Sequence, residues 1–122
     1  MIDMRAVDIV QPDILYLGGI CRTLRVAGMA KAAGLPVTPH CANGSLVTLF
    51  TMHLLRALPN AGKYLEFSIE GADYYPWQDG LYVASPYAIE DGHARVTDAP
   101  GWGVEISPEW LAKSRYEISE HP

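Results

Sequence analysis

The predicted fold depends on one stretch of sequence, Val7-Asp-Ile-Val-Gln-Pro-Asp-Ile-Leu-Tyr-Leu-Gly-Gly19, and on a later stretch with the same pattern, Pro36-Val-Thr-Pro-His-Cys41. Each contains a short run of β-forming residues that ends at a proline, which has no N–H to donate to a strand ladder. Each proline is followed at once by a residue that can exchange a proton, Asp13 in the first stretch and His40 in the second. The pattern predicts two short strands, near residues 6–10 and 36–39, each with a titratable side chain at its end.

A helix-length segment lies between these strands. From Arg22 to Gly34, apolar residues recur at the spacing of one helical face, namely Val26, Met29, Ala30 and Ala33. Gly34 followed by Pro36 ends the helix. Strand, helix and strand at this length make a βαβ unit with parallel strands, whose carboxyl ends meet at one edge of the sheet. Because α/β proteins place active sites at that edge, we expect Asp13 and His40 to form a general base with its orienting carboxylate.

The same two residues also have a simpler interpretation. An aspartate in a turn often caps that turn through its own side chain, and a loop histidine need have no role. Their joint position at matching strand ends favours the functional interpretation.

Five short motifs follow one another along the chain: Asp8-Ile-Val-Gln-Pro-Asp13, Gly18-Gly19, Gly34-Leu-Pro-Val-Thr-Pro-His40, Tyr64-Leu-Glu-Phe67 and Pro100-Gly-Trp-Gly-Val-Glu105. The series resembles the C-terminal third of a mandelate racemase/muconate lactonizing enzyme family protein, in the enolase superfamily. The resemblance implies an α/β fold in which the chain forms the last strands of a partial TIM-like (β/α) barrel, with an irregular C-terminal tail. The last strands of the family carry an Asp–His dyad and then a Glu, positions that Asp13, His40 and Glu66 match. From the residues themselves, Tyr64-Leu-Glu-Phe67 is expected to be a third short strand that carries Glu66.

The resemblance also implies the chemistry. In the family a base removes the proton next to the carboxylate of a small substrate such as a sugar acid, and Mg²⁺ stabilises the enediolate. His40 would be the base or acid, Asp13 would orient it, and Glu66 would donate a hydrogen bond to substrate oxygens. The metal ligands of the family lie on earlier strands, which this chain does not contain. We therefore expect Mg²⁺ in the complete family member, no metal ligands in this chain, and no activity of a dehydratase or racemase from the isolated chain.

Composition and length restrict the alternatives. A complete barrel needs roughly 250 residues, and the chain has 122, of which 49% are hydrophobic. We expect residues 1–70 to be the C-terminal βα units of a larger architecture, and residues 71–122 to be an extension that packs on a capping domain. The partner would be the missing N-terminal part or, through unpaired strand edges, a second copy.

Charge and cysteine content point to a cytoplasmic protein. A net charge of −5 argues against a nucleic-acid surface. No apolar run has membrane-span length, and no secretory leader is evident. Cys21 and Cys41 are too few for a disulfide framework and are expected to be free thiols.

The remaining sequence predicts further elements. A second helix is expected from Leu46 to Leu58, capped by Ser45 or Asn43. His53 within it is expected to pack rather than bind a ligand. A hairpin turn at Glu90-Asp-Gly92 should join strands at 87–89 and 94–96, and Ser107-Pro108 should begin a short helix.

Two other classes of function stay open. The chain could be a non-catalytic remnant or assembly module that retains the site positions without the reaction. It could also be an unrelated open α/β binding domain, although that would leave the Pro100-Gly-Trp-Gly103 motif without an explanation.

Overall fold

The computed structural model describes residues 1–42, 44–68, 70, 73–76 and 79–120. In chain order the elements are α1 (Ile20–Ala32), α2 (Leu46–Ala57), β1 (Ile89–Glu90), β2 (His93–Ala94) and α3 (Pro108–Lys113). None of these described helices is long and apolar enough to cross a membrane.

Three chain segments meet at Val37, which is fully buried. Val37 forms a parallel bridge with Val10 on one side and another with Ala61 on the other. The first is made by Val10 N–H to the Pro36 carbonyl (3.0 Å) and by Thr38 N–H to the Val10 carbonyl (3.0 Å). The parallel arrangement agrees with the expected βαβ unit, with α1 between the two paired segments.

Prolines limit this pairing to single bridges. On a parallel ladder the next bonds would come from the N–H groups of residues 12 and 39, and both are prolines. The expected strands near 6–10 and 36–39 are therefore reduced to one bridged residue each. The expected third strand over 64–67 is wrong in register, since pairing with Val37 occurs at Ala61 and residues 64–68 carry no strand assignment. The fold is α/β, but the described residues do not form the three-stranded sheet expected from the sequence.

The hydrophobic core lies between the two long helices and this pairing; its buried members are Ile14, Ala27, Ala30, Leu35, Val37, Leu54 and Leu58. α1 begins two residues earlier than expected and ends at Ala32, with Gly34 at φ 71° in the left-handed region that follows many helices. Its buried face consists of Thr23, Ala27 and Ala30, whereas Met29, expected on that face, is 54% exposed. Thr23 can be buried because its hydroxyl donates to the Gly19 carbonyl (3.0 Å).

α2 agrees with its prediction. Ser45 is its N-cap and accepts a hydrogen bond from Val47 N–H (3.3 Å); Asn43, the alternative cap, lies outside the described residues. His53 packs edge-on against Trp102, with ring centroids 5.3 Å apart, as expected of a packing residue.

The C-terminal part of the chain packs on α2. Trp102 lies against Phe50 with ring centroids 4.5 Å apart, and Arg56 forms an ion pair with Asp98 (2.7 Å). β1 and β2 are paired antiparallel around Asp91 and Gly92, both with positive φ, so the hairpin turn is confirmed although its strands are shorter than expected. Ser107 precedes α3 and Pro108 is its first residue, as expected. The division of the chain at residue 70 stays a prediction.

Candidate active site

Asp13 and His40 lie together at the ends of the first two paired segments. Pro12 cannot donate the next hydrogen bond between the two segments. They are joined again one step further on, where His40 N–H donates to the Pro12 carbonyl (2.9 Å). This bond sets the two side chains next to each other, and His40 Nδ1 lies 2.7 Å from Asp13 Oδ2. The contact expected from the sequence is therefore present. An Nδ1 that donates to a carboxylate leaves Nε2 as the acceptor nitrogen of the neutral ring.

Asp13 also caps its own turn, so the two interpretations offered for this residue both hold. Its Oδ1 accepts hydrogen bonds from the N–H groups of Leu15 (2.7 Å) and Tyr16 (2.9 Å), while Oδ2 contacts His40. Burial by itself raises the pKa of Asp13, but the hydrogen bonds from His40, Tyr16 and Leu15 outweigh it, and the pKa lies below its usual range. The carboxylate is thus ionised and held rigidly against the imidazole.

Glu66 faces the same opening from the third segment. Its Oε2 lies 3.6 Å from His40 Nε2, and it accepts hydrogen bonds from Cys41 N–H (3.3 Å) and from the Gln11 side-chain amide (3.4 Å). Asp13, His40 and Glu66 are therefore brought together in one cluster, with His40 between the two acidic side chains. No arginine or lysine pairs with Glu66 in the part of the chain that the structure describes.

Three further residues line this opening and were not singled out from the sequence. A shallow cavity of about 320 Å³ lies beside His40, with Gln11, Tyr16 and Leu17 in its wall. The Tyr16 ring is 85% exposed and lies roughly parallel to the imidazole, with centroids 6.1 Å apart. The spacing Asp13-x-x-Tyr16 of a capped turn could have indicated that Tyr16 returns over the dyad.

A larger groove of about 690 Å³ lies away from this cluster, between α2, residues 63–67 and the β1–β2 hairpin. Leu65 and Phe67 line it, but the titratable residues of the cluster do not. Size alone would favour the groove as a binding site. The convergence of an imidazole and two carboxylates makes the cluster of Asp13, His40 and Glu66 the better candidate for chemistry.

The described residues do not fit a magnesium site. Mg²⁺ requires several oxygen ligands arranged around one point, and no group of three or more His, Cys, Asp or Glu side chains among residues 1–42, 44–68, 70, 73–76 and 79–120 is arranged to hold a metal ion. Cys21 and Cys41 are not joined in a disulfide; Cys21 is exposed and Cys41 is buried.

The fold and the cluster define an α/β protein that carries a carboxylate–imidazole dyad and a second carboxylate at neighbouring segment ends. The chain belongs to the enolase C-terminal domain-like family, whose model matches residues 1–110. The resemblance to the mandelate racemase branch of the enolase superfamily is thereby confirmed.

Relatives of this chain include acid-sugar dehydratases. It is 34% identical over 102 residues to the arabinonate dehydratase of Saccharolobus solfataricus, a match that covers 84% of this chain and 26% of that protein. It is 87% identical, with a TM-score of 0.92, to the crystal structure of a provisionally named racemase from Roseobacter denitrificans, over 99% of this chain and 33% of that one. It is 30% identical, with a TM-score of 0.70, to L-talarate dehydratase from Polaromonas sp. JS666 complexed with Mg and L-glucarate, over 94% and 28% of the two chains. The chain therefore spans about a quarter to a third of the length of these relatives.

Proposed function

We propose that this chain supplies the acid–base residues of an enzyme that removes the proton next to the carboxylate of a sugar acid, as a dehydratase or a racemase. One observation carries the proposal: His40 Nδ1 lies 2.7 Å from Asp13 Oδ2, with Nε2 on the side of Glu66. A general base needs an unprotonated nitrogen that faces the substrate and a partner that holds the ring in that tautomer.

His40 is the group that moves the proton. With its Nδ1 proton held by Asp13, Nε2 takes a proton from the carbon next to the substrate carboxylate. In the following step Nε2 gives this proton up, to the departing hydroxyl in a dehydration or back to the same face of that carbon in an exchange. A racemisation would need a second proton donor on the opposite face, from the remaining polypeptide. Asp13 keeps the ring orientation fixed through both steps, because Oδ1 is itself held by two backbone N–H groups.

Glu66 is the group that contacts the substrate oxygens. Oε2 already accepts hydrogen bonds from Cys41 and Gln11, so a proton on this carboxyl group would lie on Oε1. From there it would be donated to the oxygen on which negative charge develops, where a preorganised donor has its largest effect. Mg²⁺, held by residues outside the described part of this chain, is expected in the complete enzyme, as in the relative complexed with Mg and L-glucarate.

The rest of the barrel is the proposed partner. Residues 64–68 follow Gly62 at the edge of the parallel pairing and are not paired as a strand, which leaves their backbone available for a neighbouring strand. A strand of the remaining polypeptide at this edge would complete the barrel, exclude water and bring the metal. Without it we expect the isolated chain to self-associate and to lack activity.

Deuterium incorporation tests the function. The isolated chain, incubated in heavy water with Mg²⁺ and a panel of sugar acids such as galactonate and gluconate, should show no exchange of the α-proton. Exchange that disappears in His40→Asn would overturn the claim that the isolated chain is inactive. The panel should first be run with the Roseobacter denitrificans relative, to find an acid that exchanges.

A chimera then tests the residues in a complete protein. Replacing the corresponding third of that relative with this chain should preserve exchange, since the two are 87% identical over 99% of this chain. Formation of a keto acid would assign dehydration, and change of optical rotation would assign racemisation. A folded chimera with no exchange on an acid that the relative does exchange would favour a non-catalytic module.

A further inference from the structure

The hydroxyl of Tyr87 reaches back from the C-terminal part of the chain to the segment that follows His40. It donates a hydrogen bond of 2.5 Å to the carbonyl of Ser45, the N-cap residue of α2. The same carbonyl accepts the N–H of Thr48 (3.0 Å). Tyr87 therefore holds the start of α2 from outside the helix.

Tyr87 is itself held by a second tyrosine. The Tyr82 and Tyr87 hydroxyls are 3.2 Å apart, and because the Tyr87 proton is directed at Ser45, Tyr82 is the donor between them. Tyr82 is buried and bridges Ile106, with hydrogen bonds on both sides from Val83 N–H to Glu105 and from Ser107 N–H to Leu81 (both 2.9 Å). Burial raises the pKa of Tyr87, so its hydroxyl stays a proton donor over the whole physiological range.

The ring of Tyr87 contacts the segment that carries Glu66. It meets Phe67 edge to face, with ring centroids 5.6 Å apart and planes at 76°, a favourable aromatic geometry. Phe67 directly follows Glu66 in the chain. The Tyr87 side chain therefore contacts both the segment after His40, at Ser45, and the segment that carries Glu66, at Phe67.

These two segments meet at Cys41. Its N–H donates to Glu66 Oε2 (3.3 Å), and its Sγ lies 2.9 Å from the Thr48 hydroxyl. A shift of the α2 start relative to Phe67 would stretch the bond from Cys41 to Glu66. The distance between Glu66 and His40 depends on that bond, because Cys41 follows His40 in the chain.

We infer that Tyr87 is a positioning residue, which sets the place of Glu66 relative to His40 by holding the start of α2 and Phe67 together. The catalytic meaning of this placement rests on the proposed function, whereas the placement itself does not. The C-terminal part of the chain would then help to position the site residues, in addition to forming an extension.

Amide hydrogen exchange of the labelled chain, followed by NMR, tests the placement. In Tyr87→Phe, which keeps the ring and removes the hydroxyl, we expect the Cys41 amide to exchange about five- to tenfold faster, the loss of one hydrogen bond. The Leu35 amide, bonded to Ala30 at the far end of α1 (2.8 Å), should be unchanged. The carboxyl ¹³C resonance of Glu66 should shift in the same variant. Tyr116→Phe is the matched control, since Tyr116 is 84% exposed and its variant should change neither signal.

The outcomes separate positioning from general stability and from catalysis. The inference would be overturned if the amides of Cys41 and Leu35 exchanged faster by the same factor in Tyr87→Phe. It would also be overturned if neither the Cys41 exchange rate nor the Glu66 carboxyl resonance changed. If Tyr87→Phe does not fold, nuclear Overhauser contacts from the Tyr87 ring to Phe67 and Ser45 are measured in the unmodified chain. Their absence would overturn the inference that Tyr87 holds these two segments together. A chimera without α-proton exchange would contradict the proposed function, yet the Cys41 and Glu66 signals would still test the placement.

Discussion

Replacement of Asp13 by asparagine separates the two roles of this residue. The amide oxygen can still accept the Leu15 and Tyr16 N–H groups, so the turn is retained. The amide nitrogen, a donor, would then face His40 Nδ1. The imidazole should respond by carrying its proton on Nε2, which turns the nitrogen that faces the substrate from an acceptor into a donor.

The cost in stability follows from the loss of the negative charge from this contact. A hydrogen bond to a charged group contributes about 1.5–3 kcal/mol, and we reduce this to about 1–2 kcal/mol here since the His40 side chain is 34% exposed and partly screened by solvent. Asp13→Ala, which also removes the turn cap, should cost about 1 kcal/mol more. Urea unfolding at pH 7 measures both differences, and ¹⁵N NMR of the His40 ring identifies the tautomer.

The pH dependence gives a second measurement on the same variant. The folded-state pKa of Asp13 lies below its ordinary value of about 3.9. The carboxylate therefore stabilises the fold above about pH 4. This stabilisation is lost as the pH falls through the folded-state pKa. The unmodified chain should therefore lose its advantage over Asp13→Asn as the pH falls from about 4 through the folded-state pKa of Asp13. Equal stability of the two at pH 7, or an unchanged tautomer, would refute the dyad.

Three further substitutions test the packing around the site. Gly62→Ala should destabilise the chain by about 1–3 kcal/mol, because the added carbon would collide with the Thr38 side chain and lie 3.1 Å from the Val37 carbonyl. Gly28→Ala in α1, where an added carbon meets nothing within 4 Å, should stabilise the chain by about 0.5–1 kcal/mol. A change of the same sign in the free energy of unfolding of both variants, measured in urea, would contradict this expectation. Asn60→Asp should cost about 2–3 kcal/mol at neutral pH, since the Asn60 amide donates to the carbonyls of Ala27 (3.2 Å) and Leu35 (3.0 Å) and a carboxylate would face both without a proton. A variant that unfolds at the same urea concentration as the unmodified chain would show that these two bonds do not hold α1 to the paired segments.

Local sequence patterns predicted the parts of the fold that depend on local chemistry. The ends of α1 and α2 follow from Gly34 and Ser45, and the hairpin turn follows from Asp91 and Gly92, whose positive φ angles suit that turn. The dyad could be predicted because Pro12 and Pro39 each end a short β run one residue before the functional side chain.

The failures have a common physical cause, which is that pairing and burial depend on distant segments. The same two prolines that mark the site also interrupt the ladder, so the strands shrink to bridges and the third contact moves to Ala61. Burial of Thr23 in place of Met29 depends on a hydrogen bond to Gly19 that apolar periodicity does not describe. The contact of Tyr87 with Ser45 joins residues far apart in the chain and has no local signal.

The most direct test of the central claim is α-proton exchange by the chimera in heavy water, with and without His40. The chimera carrying this chain should exchange the α-proton of an acid that the Roseobacter denitrificans relative also exchanges. His40→Asn should lower the exchange rate by at least about 100-fold, the usual contribution of a general base, while Tyr116→Phe should leave it unchanged. Exchange that continues at the full rate in a folded His40→Asn chimera would contradict the assignment of His40 as the proton-transfer residue.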